Sequence, residues 1–278
     1  METTKGHRDA LRTPQDFVDS WISTLDILKA NDLLDGIIYV DIGGEFPLQN
    51  WYPHIFEYIT GENPQSGPEM FEVIEDDWED DAIERMNEFL VGGTKKIKEA
   101  YPEFRYTWSS QIMGEDNYLR CDFSEFGVFE PHIWCSDDLS ASVEIGYFDA
   151  LGDIEFPANI AKMWYKAEAK HKAEPEFFNN ILDERTDKWA AVSKKTGLPL
   201  VTTEAWATVI YEDFSHNGCL GEWDWFKDVC EFGVRHAIAK GWVGICTSNF
   251  SEPHFEGLWR DVEWHKRLTD MIKTGKLD

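Results

Sequence analysis

The sequence predicts an α/β fold of the TIM (β/α)₈ barrel type, in which helices alternate with short, buried parallel strands. Residues 198–203 are mostly apolar and lead to Glu204 and Trp206. Residues 36–42 have the same apolar form and lead to Glu45. Buried parallel strands read as continuous apolar runs, and in a barrel their C-terminal ends carry the functional side chains. A segment with helical spacing precedes each stretch, which completes the alternation.

The first helix is predicted to begin at residue 14. Thr13 supplies an N-cap, Pro14 suits the first helical position, and Asp16 places a carboxylate in the first turn. Apolar residues recur at helical spacing to about residue 31. A helix that leads directly into the buried run at residues 36–42 begins the α/β alternation.

The rest of the chain continues this alternation. Strands are predicted at residues 36–42, 104–113, 127–135, 198–203 and 241–249, and further helices at residues 76–103, 159–195, 222–240 and 259–273. Gly92 and Gly93 are expected to interrupt the first of these helices, and Pro175 to divide the second. Residues 47–70 are predicted to form an irregular loop, and a loop of this length after a strand is more often functional than not.

The number of strands is the difficulty for this prediction. Five strands are recognised in the sequence, whereas a complete barrel has eight in about 250 residues. Residues 1–278 are therefore predicted to form a single barrel domain that either contains three unrecognised strands or is incomplete. In an incomplete barrel, residues 36–42 would have an open sheet edge, which favours a homo-oligomer that covers it.

Composition excludes several classes of partner. A formal net charge of −27 argues against binding to nucleic acid, because the phosphates would be repelled. No apolar run approaches the roughly 20 residues that span a bilayer, and the N-terminal segment lacks the apolar core of a secretory signal. Five scattered cysteines without a C-x-x-C pair are typical of reduced thiols, so a cytoplasmic location is expected.

The strand ends suggest a specific chemistry. Glu45 and Glu204 each follow a buried strand, and parallel strands bring such residues to one mouth. Hydrolysis of a glycosidic bond requires two carboxylates, one acting as acid/base and the other as nucleophile or base. Glu125, Glu130 and Glu252 remain alternatives for either carboxylate. The simpler interpretation is that each glutamate only faces solvent at a strand end.

Aromatic and polar side chains near the strand ends are candidates for substrate binding. The chain has 13 tryptophans, and flat indole rings pack well on sugar faces. For any single tryptophan, packing in the core is the more common role. The substrate-binding candidates are Trp51, Trp108, His132, Trp134, Trp206, Asn249 and Trp259.

The sequence gives no indication of a metal or cofactor. A phosphate-binding loop, a Gly-x-Ser-x-Gly motif and a metal-spaced histidine motif are all absent from it. The acidic cluster at residues 75–81 is predicted to be a solvated helix N-terminus, which the helix dipole favours, with a metal site as the alternative.

These residues resemble the cellulase-containing clan of (β/α)₈ retaining glycosidases, in particular its sugar-binding cellulase-like branch. In that clan, strand 4 ends in Asn-Glu with the acid/base, and strand 7 ends in the nucleophile. The resemblance makes Glu45 the acid/base, Glu204 the nucleophile, and His132 and Trp134 the strand 6 residues that orient it. It implies β-linked glycans as substrates and no cofactor.

The sequence departs from the clan in two respects. Gly44 stands where the clan has the Asn that hydrogen-bonds the sugar 2-hydroxyl, a contact that strengthens in the transition state. The match also begins at strand 4, so no sequence corresponds to strands 1 to 3. Two alternatives to a glycoside hydrolase follow, namely a non-catalytic sugar-binding protein of the same fold and a truncated barrel without activity.

Overall fold

The computed structural model describes residues 10–49, 51–64, 77–110, 115–136, 138–147, 157–207, 223–248 and 261–277. The chain divides into two compact units, Met1–Glu130 and Pro131–Asp278. Both combine helices with pairs of short parallel strands, so the predicted α/β class is confirmed. The barrel and its single domain stay predictions.

The described residues of the first unit include one parallel strand pair and several helices. Strand β1 (Val40–Asp41) pairs with β2 (Tyr106–Thr107) in parallel register, and the backbone bond from Gly127 N–H to Tyr106 O places a further segment beside β2. The helices are α1 (Pro14–Ala30), α2 (Pro53–Thr60), α3 (Asp80–Asn87), a π-helix (Glu88–Gly93), α4 (Thr94–Ala100) and α5 (Glu115–Tyr118), with a 3₁₀ turn at Leu34–Gly36.

The aromatic core of the first unit lies directly beneath the end of β1. Phe46 and Trp108 are fully buried with ring centroids 4.5 Å apart, and Phe17 lies 5.0 Å from Trp108. Phe89 adds an edge-on contact with Phe17 at 6.1 Å. Aromatic pairs in such geometries stabilise the fold by more than their buried area alone provides. The segment that carries Glu45 therefore packs on a well-stabilised aromatic core.

The second unit contains two parallel strand pairs. Strand β3 (Ile133–Trp134) pairs with β5 (Ala205–Trp206), and β4 (Val201–Thr202) pairs with β6 (Gly244–Ile245). The helices are α6 (Leu139–Ile145), α7 (Pro157–Ala173), α8 (Glu176–Thr196), α9 (Asp224–Ala239) and α10 (Val262–Thr274). Apolar side chains of α8 and α9 are buried, including Trp189, Phe226 and Val229.

Most predicted helices are confirmed, and their starts follow the predicted chemistry. Thr13 caps α1 in a capping box with Asp16, and Pro175 separates α7 from α8. The interruption predicted at Gly92 and Gly93 takes the form of the π-helix Glu88–Gly93, which separates α3 from α4 while the chain stays helical. One prediction was wrong, because the predicted loop at residues 47–70 contains helix α2.

The predicted strands are in the right places but are too long. Each hydrogen-bonded ladder of the described residues extends over two residues only, as in Val40–Asp41 within the predicted strand at residues 36–42. The reason is that apolar character extends through the turns that enter and leave each ladder. One strand was missed, because Ala205–Trp206 forms its own ladder with Ile133–Trp134.

Two further sequence expectations concern the surroundings of the protein. Across the described residues, no helix combines the length and apolar character needed to cross a bilayer. Cys121, Cys135, Cys230 and Cys246, the described cysteines, form no disulfide with one another. The cytoplasmic location and the association into oligomers stay predictions.

Candidate functional site

In the first unit, Glu45 lies four residues beyond β1 and is partly exposed. Its backbone is in the left-handed region, with φ of 51°. Its N–H donates to Ser109 Oγ at 2.9 Å, and Ser109 in turn is bonded to the Asp41 carboxylate. The ends of β1 and β2 therefore bring Asp41, Glu45 and Ser109 together, as expected for the C-terminal ends of parallel strands.

A buried tyrosine adjoins this group. Tyr118 Oη donates to Trp108 O at 2.7 Å. Burial raises the pKa of Tyr118 well above its ordinary value, and the charges of nearby Cys121, Asp41 and Glu130 raise it further. Tyr118 is therefore a neutral donor at neutral pH. Sequence reasoning missed it, because its contact with the Trp108 carbonyl is tertiary and leaves no local pattern.

The two tryptophan candidates of the first unit differ in exposure. Trp51 is 44% exposed. Trp108 is fully buried, and its Nε1–H donates to Thr94 Oγ1 at 2.9 Å. Contact with substrate stays a prediction for both, and in this structure the Trp108 ring is a core element beneath Glu45.

In the second unit, Glu204 lies between β4 and β5 with its side chain 39% exposed. The Glu204 backbone carbonyl accepts the Ile133 N–H at 3.2 Å and the Thr202 hydroxyl at 3.0 Å. Its carboxylate Oε2 lies 3.7 Å from Nδ1 of His132, which is almost completely buried. A protonated imidazole at this distance attracts the ionised carboxylate.

Two of the predicted tryptophans stand next to this pair. Trp134 and Trp206 are register partners in the β3–β5 ladder. Trp134 is half-buried, whereas Trp206 is fully buried and donates its Nε1–H to Cys246 O at 2.9 Å. The second unit thus brings His132, Trp134, Glu204 and Trp206 together, and contact of any of them with substrate stays a prediction.

The other candidates are placed as follows. The Glu125 carboxylate forms an ion pair with Lys98 at 3.2 Å, so it has a structural role. Glu130 is buried near β2, where its carbonyl accepts the Ser110 N–H at 3.1 Å. Asn249, Glu252 and Trp259 lie outside the described residues.

The predicted acidic cluster is only partly described, from residue 77 onward. Arg120 pairs with Asp77 at 2.6 Å and with Asp80 at 2.9 Å, and it also donates to Trp78 O. The side chains of both aspartates are almost completely exposed, so the described part of the cluster is a solvated helix N-terminus with one guanidinium group beside it.

Comparisons with known proteins identify the family of the chain. A model of the sugar-binding cellulase-like family matches residues 1–273, so the chain belongs to that family. A solved structure from Parabacteroides distasonis ATCC 8503, named "putative glycoside hydrolase", is 31% identical to the chain and superposes with a TM-score of 0.77. The match covers 97% of this chain and 66% of that one, so the chain spans just under two thirds of that protein's length.

The search of curated proteins found no match. The family and the solved structure together establish that the chain is a glycoside hydrolase-like or sugar-binding protein with an α/β fold. They leave the roles of individual residues to be proposed from the site itself.

Proposed function

We propose that this protein is a retaining glycoside hydrolase for β-linked glycans, with Glu204 as nucleophile and Glu45 as acid/base. The observation that carries the proposal is the pair formed by Glu204 and His132, in which a partly exposed carboxylate lies 3.7 Å from a buried imidazole at the end of a parallel strand pair. A nucleophile must stay ionised and accessible, and this environment supports both requirements.

The reaction takes place in two steps. The Glu204 carboxylate attacks the anomeric carbon while Glu45 donates its proton to the glycosidic oxygen, so that the bond to the leaving group breaks and a glycosyl ester forms. Glu45, now ionised, then takes a proton from water. The resulting hydroxide oxygen bonds to the anomeric carbon and releases Glu204. Glu45 supplies the proton of the first step and recovers it from water in the second, and the electron pairs that bond to the anomeric carbon come from Glu204 and then from the water oxygen.

Trp51 is the exposed ring that best fits a sugar-stacking role in this proposal, because 44% of its surface is accessible. Trp134, half-buried in register with Trp206, is a second candidate. We also propose that residues 1–278 form a single barrel domain and that the protein is cytoplasmic.

The test is a hydrolysis assay on aryl β-glycosides and short β-glucans. We expect Glu204→Gln to lower kcat by about 10³-fold or more and Glu45→Gln by about 10²–10⁴-fold, since each removes one of the two carboxylate functions. Glu125→Gln is the matched control, because its carboxylate pairs with Lys98. Unchanged turnover in Glu204→Gln, or an equal loss in the control, would contradict the proposal.

A second candidate is a sugar-binding protein without turnover. It is favoured by Gly44, which stands in place of the clan's Asn and cannot bond a sugar hydroxyl through a side chain. In that case the protein would bind an oligosaccharide with equal affinity in wild type and Glu204→Gln, and no product would appear. Calorimetric titration with the same β-glucans separates the two functions.

A further inference from the structure

Glu45 has a backbone conformation that a glutamate rarely adopts. Its φ of 51° lies in the left-handed region, which costs an L-residue with a Cβ about 1–2 kcal/mol. Residues keep such a conformation only where their surroundings impose it, and in many proteins this occurs at functional sites. The surroundings of Glu45 therefore contain the groups that fix it.

Ser109 is the group in direct contact with the Glu45 backbone. The Glu45 N–H donates to Ser109 Oγ at 2.9 Å, and the next N–H, that of Phe46, donates to Ser109 O at 3.0 Å. Ser109 is fully buried, so water cannot replace either bond. Two successive backbone donors on either side of the Glu45 Cα atom are thus bound to one residue of the neighbouring strand.

Asp41 in turn fixes the orientation of Ser109. Its Oδ1 accepts the Ser109 N–H and its Oδ2 accepts the Ser109 hydroxyl proton, both at 2.8 Å. A serine hydroxyl has one proton, so donation to a carboxylate turns a lone pair toward the Glu45 N–H. Bonds to a charged acceptor are stronger than neutral ones, which makes this orientation well defined.

The strand register explains why these residues meet. Asp41 pairs with Thr107 in the β1–β2 ladder, and the Ile42 N–H bonds to Thr107 O, so Ser109 follows directly beside the end of β1. Residue 44 lies beside this pair, since a Cβ added at Gly44 would be in ordinary van der Waals contact, at 3.9 Å, with both Asp41 Oδ2 and Ser109 Oγ.

We infer that Asp41 and Ser109 are positioning residues that hold Glu45 for proton transfer. The inference rests on the proposed function, in which Glu45 is the acid/base. Neither residue needs to contact the reacting atoms. The Asp41 carboxylate orients the Ser109 hydroxyl, and the hydroxyl fixes the backbone from which the Glu45 side chain extends.

The kinetic test compares Ser109→Ala with Ser110→Ala. Ser110 is the matched control, because it is the adjacent buried serine and its hydroxyl has no hydrogen-bond partner among the described residues. We expect Ser109→Ala to lower kcat/KM at least ten-fold on aryl β-glycosides with poor leaving groups, because a displaced acid transfers its proton inefficiently. On 2,4-dinitrophenyl glycosides the loss should be less than two-fold, because that group leaves without protonation.

Asp41→Asn provides a second variant, because its amide oxygen still accepts the Ser109 N–H but its NH₂ group cannot accept the hydroxyl proton. A smaller loss with the same dependence on the leaving group is expected. An equal loss on both kinds of substrate, or no loss at all, would overturn the inference, since a structural defect does not distinguish leaving groups.

A second readout is independent of turnover. Amide hydrogen exchange at Glu45, followed by NMR, should be about ten-fold faster in Ser109→Ala and unchanged in Ser110→Ala. If wild type cleaves no substrate but the exchange rate responds, the hydrolase proposal fails and the positioning of Glu45 stands. Unchanged exchange at Glu45 in Ser109→Ala would refute the positioning role whatever the activity.

Discussion

The segments that carry Glu45 and Glu204 each contain a strained backbone residue, and different interactions hold that residue in place. In each segment a non-glycine residue has its backbone in the left-handed region: Glu45 has a φ of 51° and Trp206 a φ of 87°. In the first unit the strained residue is the candidate acid/base. In the second unit it stands two residues after the candidate nucleophile.

The first segment is held by polar side chains. Ser109 binds the Glu45 backbone, Asp41 binds the Ser109 hydroxyl, and Thr94 binds the indole N–H of Trp108 beneath them. Every one of these bonds has at least one side-chain partner. A single substitution can therefore remove it while leaving the volume of the core almost unchanged.

The second segment is held by close packing and by the backbone. The Trp206 indole N–H bonds to the Cys246 carbonyl, and the Trp206 carbonyl accepts the Cys135 N–H at 2.7 Å. The ring lies against Gly233 of α9, where there is no room for a side chain. Polar substitutions cannot remove these interactions, but added volume can. The Glu45 backbone thus depends on side-chain hydrogen bonds, whereas the strained Trp206 beside Glu204 depends on packing and backbone bonds, with one side-chain bond from the Thr202 hydroxyl to the Glu204 carbonyl.

The largest expected effect tests the shape of the second segment. In Gly233→Ala the new Cβ would overlap the Trp206 ring, with Trp206 Cγ only 2.9 Å away, so the ring or α9 must shift. We expect a loss of about 3 kcal/mol in the free energy of unfolding, measured by denaturant titration. Gly92→Ala is the control, because its Cβ would meet nothing within 4 Å. A small effect in Gly233→Ala would show that Trp206 is not tightly confined.

A smaller effect is expected in the first unit from Thr94→Val. This change leaves the buried Trp108 N–H without its acceptor while the volume stays nearly constant. We expect a loss of about 2 kcal/mol in the free energy of unfolding.

The control for Thr94→Val is Thr24→Val in α1, whose hydroxyl bonds only to the Ser20 carbonyl. Equal losses in the two variants would mean that the first unit does not depend on this side-chain acceptor, contrary to the comparison.

The smallest expected effect concerns the ion pairs of α9, the helix that carries Gly233. A hydrogen bond from Arg267 has the largest effect on the pKa of Glu231 and lowers it, and a hydrogen bond from Arg235 lowers it further. A lowered carboxyl pKa contributes stability above the ordinary value of about 4.5, and the contribution disappears as pH falls through the folded-state pKa.

Glu231→Gln should therefore destabilise the protein at pH 7 by less than about 1 kcal/mol, and the difference from wild type should shrink toward pH 3. Thermal unfolding across this pH range measures it. Glu263→Gln, whose carboxylate is 86% exposed beside Lys266, is the control and should change the free energy of unfolding at pH 7 by less than Glu231→Gln does. A difference from wild type that grows as pH falls would mean that the Glu231 pKa is not lowered.

Local chemistry made much of the fold predictable. The capping box of Thr13 and Asp16, and the break at Pro175, each depend on residues within a few positions of one another. Helix α2 was missed because its sequence is rich in aromatic residues without strong helix formers. The strand lengths were wrong because apolar runs indicate burial but not which backbone groups pair.

Only part of the candidate site was predictable from the sequence. Glu45 and Glu204 could be selected from the sequence, because each follows an apolar run. The role of Ser109 could not, because the bond to Glu45 joins residues 64 positions apart. Burial of Trp108 and Trp206 was equally hidden, since a tryptophan has the same sequence signature in a cleft and in a core.

By itself, then, the sequence determined the α/β class, the start of α1, the division at Pro175 and the approximate positions of most strands, because these follow from local spacing and capping. It also singled out Glu45 and Glu204 as candidates, because each follows an apolar run. Only the tertiary structure decided how those glutamates are held. Parallel pairing of β1 with β2 brings Ser109 to Glu45, and packing of α9 brings Gly233 to Trp206. Both depend on contacts between distant residues, which no local pattern encodes.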